Sequence, residues 1–398
     1  MSRRAAGLFL VALVMRLFFA LRAPAPEADA ADYVRLAQDL RSGPGYVDTE
    51  GHPTAFRPPL YPLFLAFTGP DVRVAAVAQS LLGAGNCLLT VALASRWLAG
   101  PAPWLAGLLV AIDPVQSASS SVLLSEVLYQ TLFLLALLAF DAGRSPRRAA
   151  LSGFVAGLSL LVRTAGLPVV VVLVVLCLRP RMKAALLFMA GAALAVSPWL
   201  LRNALVMGSP TLSTQGGITL YSSYQPPGGK IFGVLIADEE VVSARAEGEV
   251  AADRRLTRAA LRLAVTRPLR TLRLAVLKVA FLWIPIDWEI RHPPGQVSPV
   301  YLFALPLAVW SLATRRRDFH PVPVLLLVLT LFSAAVYGSP RLRLPYDPLV
   351  YALAAGPLAA SIRRPVLWLW ALVCLVLGLS GELPRHAARA VARALGWW

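Results

Sequence analysis

Charge is what this sequence has least of. Charged side chains make up 15% of the 398 residues, against about a quarter in an average soluble domain. Mean hydropathy is +0.66. Most of the chain must therefore face hydrocarbon or other apolar helices, and a soluble globular fold is excluded. Cysteine is as scarce. Cys87, Cys177 and Cys374 each stand alone in an apolar run, which excludes a disulfide framework and a CxxC zinc site. The four histidines are scattered and form no local metal-ligand motif. Acidic residues are outnumbered 21 to 38 by lysine and arginine, giving a formal charge of +17. A nucleic-acid binder would interleave that charge with aromatic residues, and no such motif occurs.

The basic residues instead cluster at the ends of apolar runs. The clusters are Arg3-Arg4, Arg144 with Arg147-Arg148, Arg179 with Arg181 and Lys183, Arg315 to Arg317, and Arg363-Arg364. That is the pattern of cytoplasmic loops under the positive-inside rule. A span needs roughly 20 mainly apolar residues. Placing the clusters inside gives about eleven spans: 5–23, 72–97, 102–116, 121–140, 149–163, 165–178, 184–201, 299–314, 321–338, 346–361 and 365–381. Small residues at Ala23 and Ala25 would suit a signal-peptidase site. However, 5–23 is long for a signal peptide's apolar core and contains Arg16, so it is read as a span.

Residues 24–71 and 202–298 then form the large outer loops, and the C-terminus lies outside. Residues 268–286 are apolar enough to cross, but crossing would reverse every later orientation. With Arg270, Arg273 and Lys278 at helical spacing, the segment reads as an interfacial or re-entrant helix. The expectation is an all-α polytopic bundle, one membrane domain over 1–398 without internal repeats. The tail from Glu382 to Trp398 reads as an amphipathic basic helix.

A few polar motifs on the outer side need explaining. Asp29 and Asp32 open an amphipathic helix on which Tyr33, Leu36, Ala37 and Leu40 share one face, and Ser42-Gly43-Pro44-Gly45 stops it. Asp29 could cap this helix, with Asp32 completing a capping-box-like pair, or serve as a catalytic carboxylate. The prolines of Pro53-Thr54-Ala55-Phe56-Arg57-Pro58-Pro59-Leu60-Tyr61-Pro62 oppose regular helix and imply a rigid extended approach to the membrane. Arg57 within it is either a positioned cation or a snorkelling surface residue. Ser125-Glu126 puts a carboxylate in a span, which faces a cavity or pairs with an arginine such as Arg163. Arg163, Arg202 in Pro198-Trp199-Leu200-Leu201-Arg202-Asn203, and Arg341 and Arg343 before Pro345 also fall on the outer side. Each alone could bind lipid headgroups; together they suit an anionic group such as phosphate.

The ordered set Asp29-x-x-x-Tyr33, Arg57-Pro-Pro-Leu-Tyr-Pro, Ser125-Glu126, Pro198-Trp199-x-x-Arg202-Asn203 and Arg341-x-Arg343-x-Pro345 resembles the GT-C fold membrane glycosyltransferases. It is most similar to the protein O-mannosyltransferase and lipid A aminoarabinose transferase-like group, over roughly residues 1–360. Many relatives carry adjacent acidic residues where this chain has Asp29-Ala30, and the large soluble C-terminal domain of some is absent from these 398 residues.

The resemblance implies a polyprenyl-phosphate sugar donor and inverting transfer at the outer face of a prokaryotic-type plasma (inner) membrane. The acceptor is a protein, lipid or glycan, and no cofactor or metal is required. It implies Asp29 as base, with Asp32 the alternative. Arg202, Arg341, Arg343 and Arg57 are expected at the donor phosphate, with Glu126, Tyr33, Tyr61 and Arg163 orienting substrate. The main rival is a transporter or flippase of a lipid-linked solute, which would often show repeats and a mid-membrane site. A lipid phosphatase would commonly centre on histidine, and neither His52 nor His292 sits in a motif. A structural scaffold would not require the outer acidic and arginine motifs in this order.

Overall fold

The computed structural model describes residues 2–43, 45–69, 71–140, 145–178, 181–225, 237–286, 297–315 and 317–380. The expected tail helix, His292, Arg144, Arg179 and Arg316 lie outside the described residues. The first half comprises α1 (Arg3–Ala20), α2 (Asp29–Ser42), α3 (Leu60–Thr68), α4 (Val72–Ala94), α5 (Ala102–Ile112), α6 (Pro114–Ala118), α7 (Glu126–Ala139), α8 (Pro146–Leu160), α9 (Leu167–Leu178) and α10 (Met182–Met207). A polar helical group follows: α11 (Gly216–Tyr224), α12 (Glu239–Arg245), α13 (Glu249–Thr266) and α14 (Pro268–Trp283). The chain returns to apolar helices with α15 (Pro299–Arg315), α16 (Val322–Ala335), the single turn α17 (Pro340–Arg343), α18 (Asp347–Ser361) and α19 (Pro365–Ser380). Among the described residues there is no strand, only the isolated bridges Val47 to Pro53 and Ile286 to Val297.

Each expected span contains one of the longer helices, and α4 and α10 are long and apolar enough to cross a membrane by themselves. Several boundaries differ from expectation. The run 102–116 breaks at Asp113, whose side chain accepts from Val115 N at 2.9 Å and starts α6. The run 121–140 becomes helical only at Glu126. The proline-rich approach also ends sooner: α3 starts at Leu60 and includes Pro62. A proline in the first turn removes an N–H that has no intrahelical partner anyway.

The main core joins α1, α4, α5, α7, α8, α9, α15, α16 and α18. Helices α8 and α10 approach almost backbone to backbone. A Cβ on Gly153 would lie 2.0 Å from Phe188 O, and one on Gly191 would lie 2.2 Å from Ala150 O. Small residues permit such contact where apolar surface alone gives helices little reason to associate in lipid. Gly153→Leu is therefore expected to cost at least about 1–3 kcal/mol, read as a lower melting temperature in detergent. An unchanged midpoint would mean that α8 and α10 do not touch there. Helices α11 to α14 form a second, smaller core around Tyr221, Tyr224, Val241, Leu256, Leu274 and Phe281. Within α14, Lys278 is buried, its Nζ 3.2 Å from Ser223 Oγ and 4.1 Å from the Tyr224 ring centre.

Candidate functional site

The amphipathic reading of α2 holds. Tyr33, Leu36 and Ala37 are buried, and Asp29 and Asp32 are half-buried in its first turn, where the helix dipole favours carboxylates. The capping reading does not hold. Asp29 is already helical, the N-cap is Ala28, and no side chain caps the helix. Ala28 has φ of +48°, the only positive φ at a non-glycine among the described residues. This backbone conformation is one that L-residues avoid, and it immediately precedes Asp29.

Instead of capping, the carboxylates accept from arginines. Arg57 Nη2 donates to Asp29 Oδ1 at 2.6 Å and to Asp32 Oδ2 at 2.9 Å. Arg341 Nη1 donates to Asp29 Oδ2 at 2.8 Å, while its Nε donates to Glu126 Oε1. The same Glu126 oxygen accepts from Arg163 Nη1. Three guanidiniums (Arg57, Arg163, Arg341) and three carboxylates (Asp29, Asp32, Glu126) thus form one continuous chain of alternating charge. Glu126 Oε2 is buried with no hydrogen-bond partner among the described residues.

Local sequence explains how each member reaches this point. Arg57 precedes two prolines, which bias its backbone to extended geometry, and Tyr46 Oη ties down its carbonyl at 2.9 Å. Its guanidinium packs over Tyr33 and Phe56, 5.2 and 5.1 Å from the ring centres. Glu126 is the first residue of α7 and Arg163 follows the end of α8. Arg341 sits in the single turn α17, with Ser339 as N-cap and Pro340 opening the helix. Burial would raise the Asp29 pKa, but Arg341 and Arg57 outweigh it and hold the carboxyl well below the usual carboxylate range. Asp29 nonetheless keeps a third of its side chain exposed.

Other expected site residues are engaged elsewhere. Arg202 donates to the carbonyls of Thr54 and Tyr46 at 2.7 and 2.8 Å and lies over Trp199. Arg343 pairs with Asp347 at 2.8 Å, donates to the carbonyls of Leu282 and Ile284, and stacks on Tyr301. Both guanidiniums lie outside the chain of ion pairs and hold partners of their own. Tyr61 is fully buried and donates to Gln79 Oε1 at 2.9 Å. Tyr33 packs edge-on against Tyr61 beneath Arg57. These two tyrosines form a floor for the site; Tyr61 has no surface to offer a substrate.

Two narrow clefts flank the ion pairs. One lies between α2, α3 and α4 at Ala37, Gln38, Arg41 and Leu65. The other lies behind Glu126 at Arg16, Gln116, Ser119 and Gln130.

Neither a protein-family pattern nor any curated protein sequence matches the chain. Solved structures do. The Archaeoglobus fulgidus oligosaccharyltransferase, in a complex with Zn and sulfate, superposes with TM-score 0.53 at 16% identity, covering 99% of this chain and 53% of that one. A second structure of the archaeal enzyme, AglB with an inhibitory peptide and a dolichol-phosphate, gives 0.51 at 14% identity, over 95% of this chain and 54% of that one. The fold is GT-C.

ArnT from Cupriavidus metallidurans bound to undecaprenyl phosphate is also similar, at 15% identity over 89% of this chain and 78% of its own. Its TM-score is 0.41, too low to add to the argument. The present chain spans about half the length of the archaeal structures it matches. The zinc of the archaeal structure finds no fit at these carboxylates. Asp29, Asp32 and Glu126 are each paired with arginine, and a dication beside Arg57 and Arg341 would be repelled. Among the described residues no group of three or more His, Cys, Asp or Glu is placed to hold a metal ion.

Sequence reasoning missed the residues that hold the Arg57 segment. Gln215 Oε1 accepts from Arg57 Nη1 at 3.1 Å, and Glu249 accepts from Thr54 and Ala55. No local signal could have found them, because each lies more than 150 residues from its partner.

Proposed function

We propose that the chain is an inverting glycosyltransferase that moves a sugar from a polyprenyl-phosphate donor to an acceptor on the outer face of the membrane, with Asp29 as base. The observation that carries this reading is Arg341 bridging Asp29 and Glu126 beside Arg57. It sets a carboxylate able to take a proton next to guanidiniums able to take a phosphate. The GT-C fold supports it, and the dolichol-phosphate in the similar archaeal structure agrees with the donor class.

A carboxylate held far below its ordinary pKa is a poor base at neutral pH. The geometry offers a remedy. The donor phosphate competes for Arg341 and Arg57, and as they turn to it the Asp29 pKa rises toward a useful value. The acceptor oxygen or nitrogen then attacks the anomeric carbon from the face opposite the phosphate. The bond from that carbon to the phosphate oxygen breaks, its electron pair staying with the phosphate, and the acceptor proton goes to Asp29. Asp29 loses a negative charge as the leaving phosphate gains one, so the arginines change partner without a net charge accumulating. Donors already aimed where charge develops stabilise the transition state. Glu126 holds Arg341 and Arg163 in place and touches neither sugar nor acceptor.

The test is transfer by purified protein from a panel of polyprenyl-phosphate sugars to peptide, lipid and glycan acceptors. Transfer with inversion from one donor is expected. Movement of a lipid-linked sugar across vesicles without transfer would support the transporter instead.

A further inference from the structure

The segment that carries Arg57 has no regular structure, so its polar groups must find partners elsewhere. Tyr46 takes some of them, and the second outer segment takes several others. Thr214 N donates to Ala55 O at 3.1 Å, and Ser213 Oγ to Phe56 O at 2.8 Å. Across both strands of this contact lies one carboxylate. Glu249 Oε2 accepts from Thr54 Oγ1 at 2.7 Å, and Oε1 accepts from Ala55 N at 2.8 Å and from Thr214 Oγ1. Glu249 is the first residue of α13, behind Gly248 at φ of +94°, where the helix dipole favours a carboxylate. Gln215, one residue beyond Thr214, reaches Arg57 Nη1 directly.

We propose that Glu249 is a positioning residue for the catalytic site: it clamps Thr54, Ala55 and Thr214 together and thereby fixes Arg57 against Asp29. A short irregular stretch ending in a buried guanidinium has little to hold its aim. A carboxylate accepting three hydrogen bonds from two segments supplies that stiffness, and it makes α13 part of the site while its side chain touches no substrate. The kinetic part of this inference rests on the transferase reading; the structural part does not.

In the full-length protein, Glu249→Ala is expected to lower kcat/KM for the lipid-phosphate donor by about 10- to 100-fold, the scale of an ångström misplacement. Glu249→Gln keeps an oxygen for Ala55 N and an amide that Thr54 Oγ1 can accept, and should recover most of that loss. Thr214→Val, which removes one of the three bonds, should lose less in the same direction. In an Arg57→Ala background, Glu249→Ala should cost nothing further; an additive loss would overturn the assignment. Hydrogen exchange reads the clamp with or without any turnover. Faster exchange of the Ala55 amide in Glu249→Ala, with the α4 and α10 amides unchanged, is expected. An Ala55 amide that stays equally protected overturns the proposal even when no donor is found.

Discussion

Asp29→Asn is expected to lower kcat for sugar transfer by about 10²- to 10⁴-fold, the usual contribution of a positioned base, while the protein remains folded. Removing one partner from a buried ion pair commonly costs about 3–5 kcal/mol, because the other charge is stranded. Here none is stranded. Arg57 keeps Asp32, and Arg341 keeps Glu126. Donor binding should be retained or tightened, since both arginines lose a competitor for the phosphate. Kinetics and equilibrium donor binding measured on the same preparation would separate the two effects. Wild-type kcat in Asp29→Asn would move the base, with Asp32 the next candidate; Asp32→Asn is otherwise expected to have the smaller effect, because Asp32 touches Arg57 alone.

The second large effect belongs to Arg341. Arg341→Ala is expected to cost about 10²- to 10³-fold in kcat, the scale of losing one charge-stabilising donor, and to weaken donor binding. Folding should again survive, because Asp29 retains Arg57 and Glu126 retains Arg163. Arg341→Lys should rescue only partly, since an ammonium is a point charge and Arg341 uses separate nitrogens for its two carboxylates.

The pH profile gives a second readout. Asp29 faces Arg57 and Arg341, with Asp32 sharing Arg57. A base must be deprotonated, so kcat/KM falls as pH drops through its free-enzyme pKa. In the wild type that limb lies below the usual carboxylate range. Losing Arg341 removes one opposite charge and should move it upward by about 1–3 pH units. An acid limb that stays in place would assign the titration to another group, and unchanged kinetics would return the phosphate site to Arg202 or Arg343.

Much of this site was legible in the sequence because its members are expensive to place. A carboxylate at the edge of an apolar run, or an arginine between prolines, stands out against hydrocarbon. That logic singled out Asp29, Asp32, Arg57, Glu126, Arg163 and Arg341, and these meet in one cluster. It could not say which arginine meets which carboxylate. Arg343 meets Asp347 one turn away, and Arg202 meets backbone carbonyls, pairings that such logic leaves open. Asp29 looked like a helix cap because capping is a local rule; tertiary pairing with Arg57 and Arg341 outweighed it. Glu249 lay beyond reach altogether. An exposed-looking glutamate at the start of a polar helix carries no mark of a partner 194 residues away. Helix positions were readable from apolar runs, but the break at Asp113 and the early start of α3 were not: the first rests on one hydrogen bond from Val115 N to Asp113, the second on Pro62 falling in a first turn that has no use for its N–H.

The balanced chain of guanidiniums and carboxylates has a kinetic meaning as well. Charges that cancel in pairs cast little field beyond their own walls, so the cluster itself adds little pull on an anionic headgroup from a distance. On the transferase reading, recognition by this cluster begins at contact, when the donor phosphate starts to compete for Arg341, and the salt of the surrounding medium has little leverage over that step.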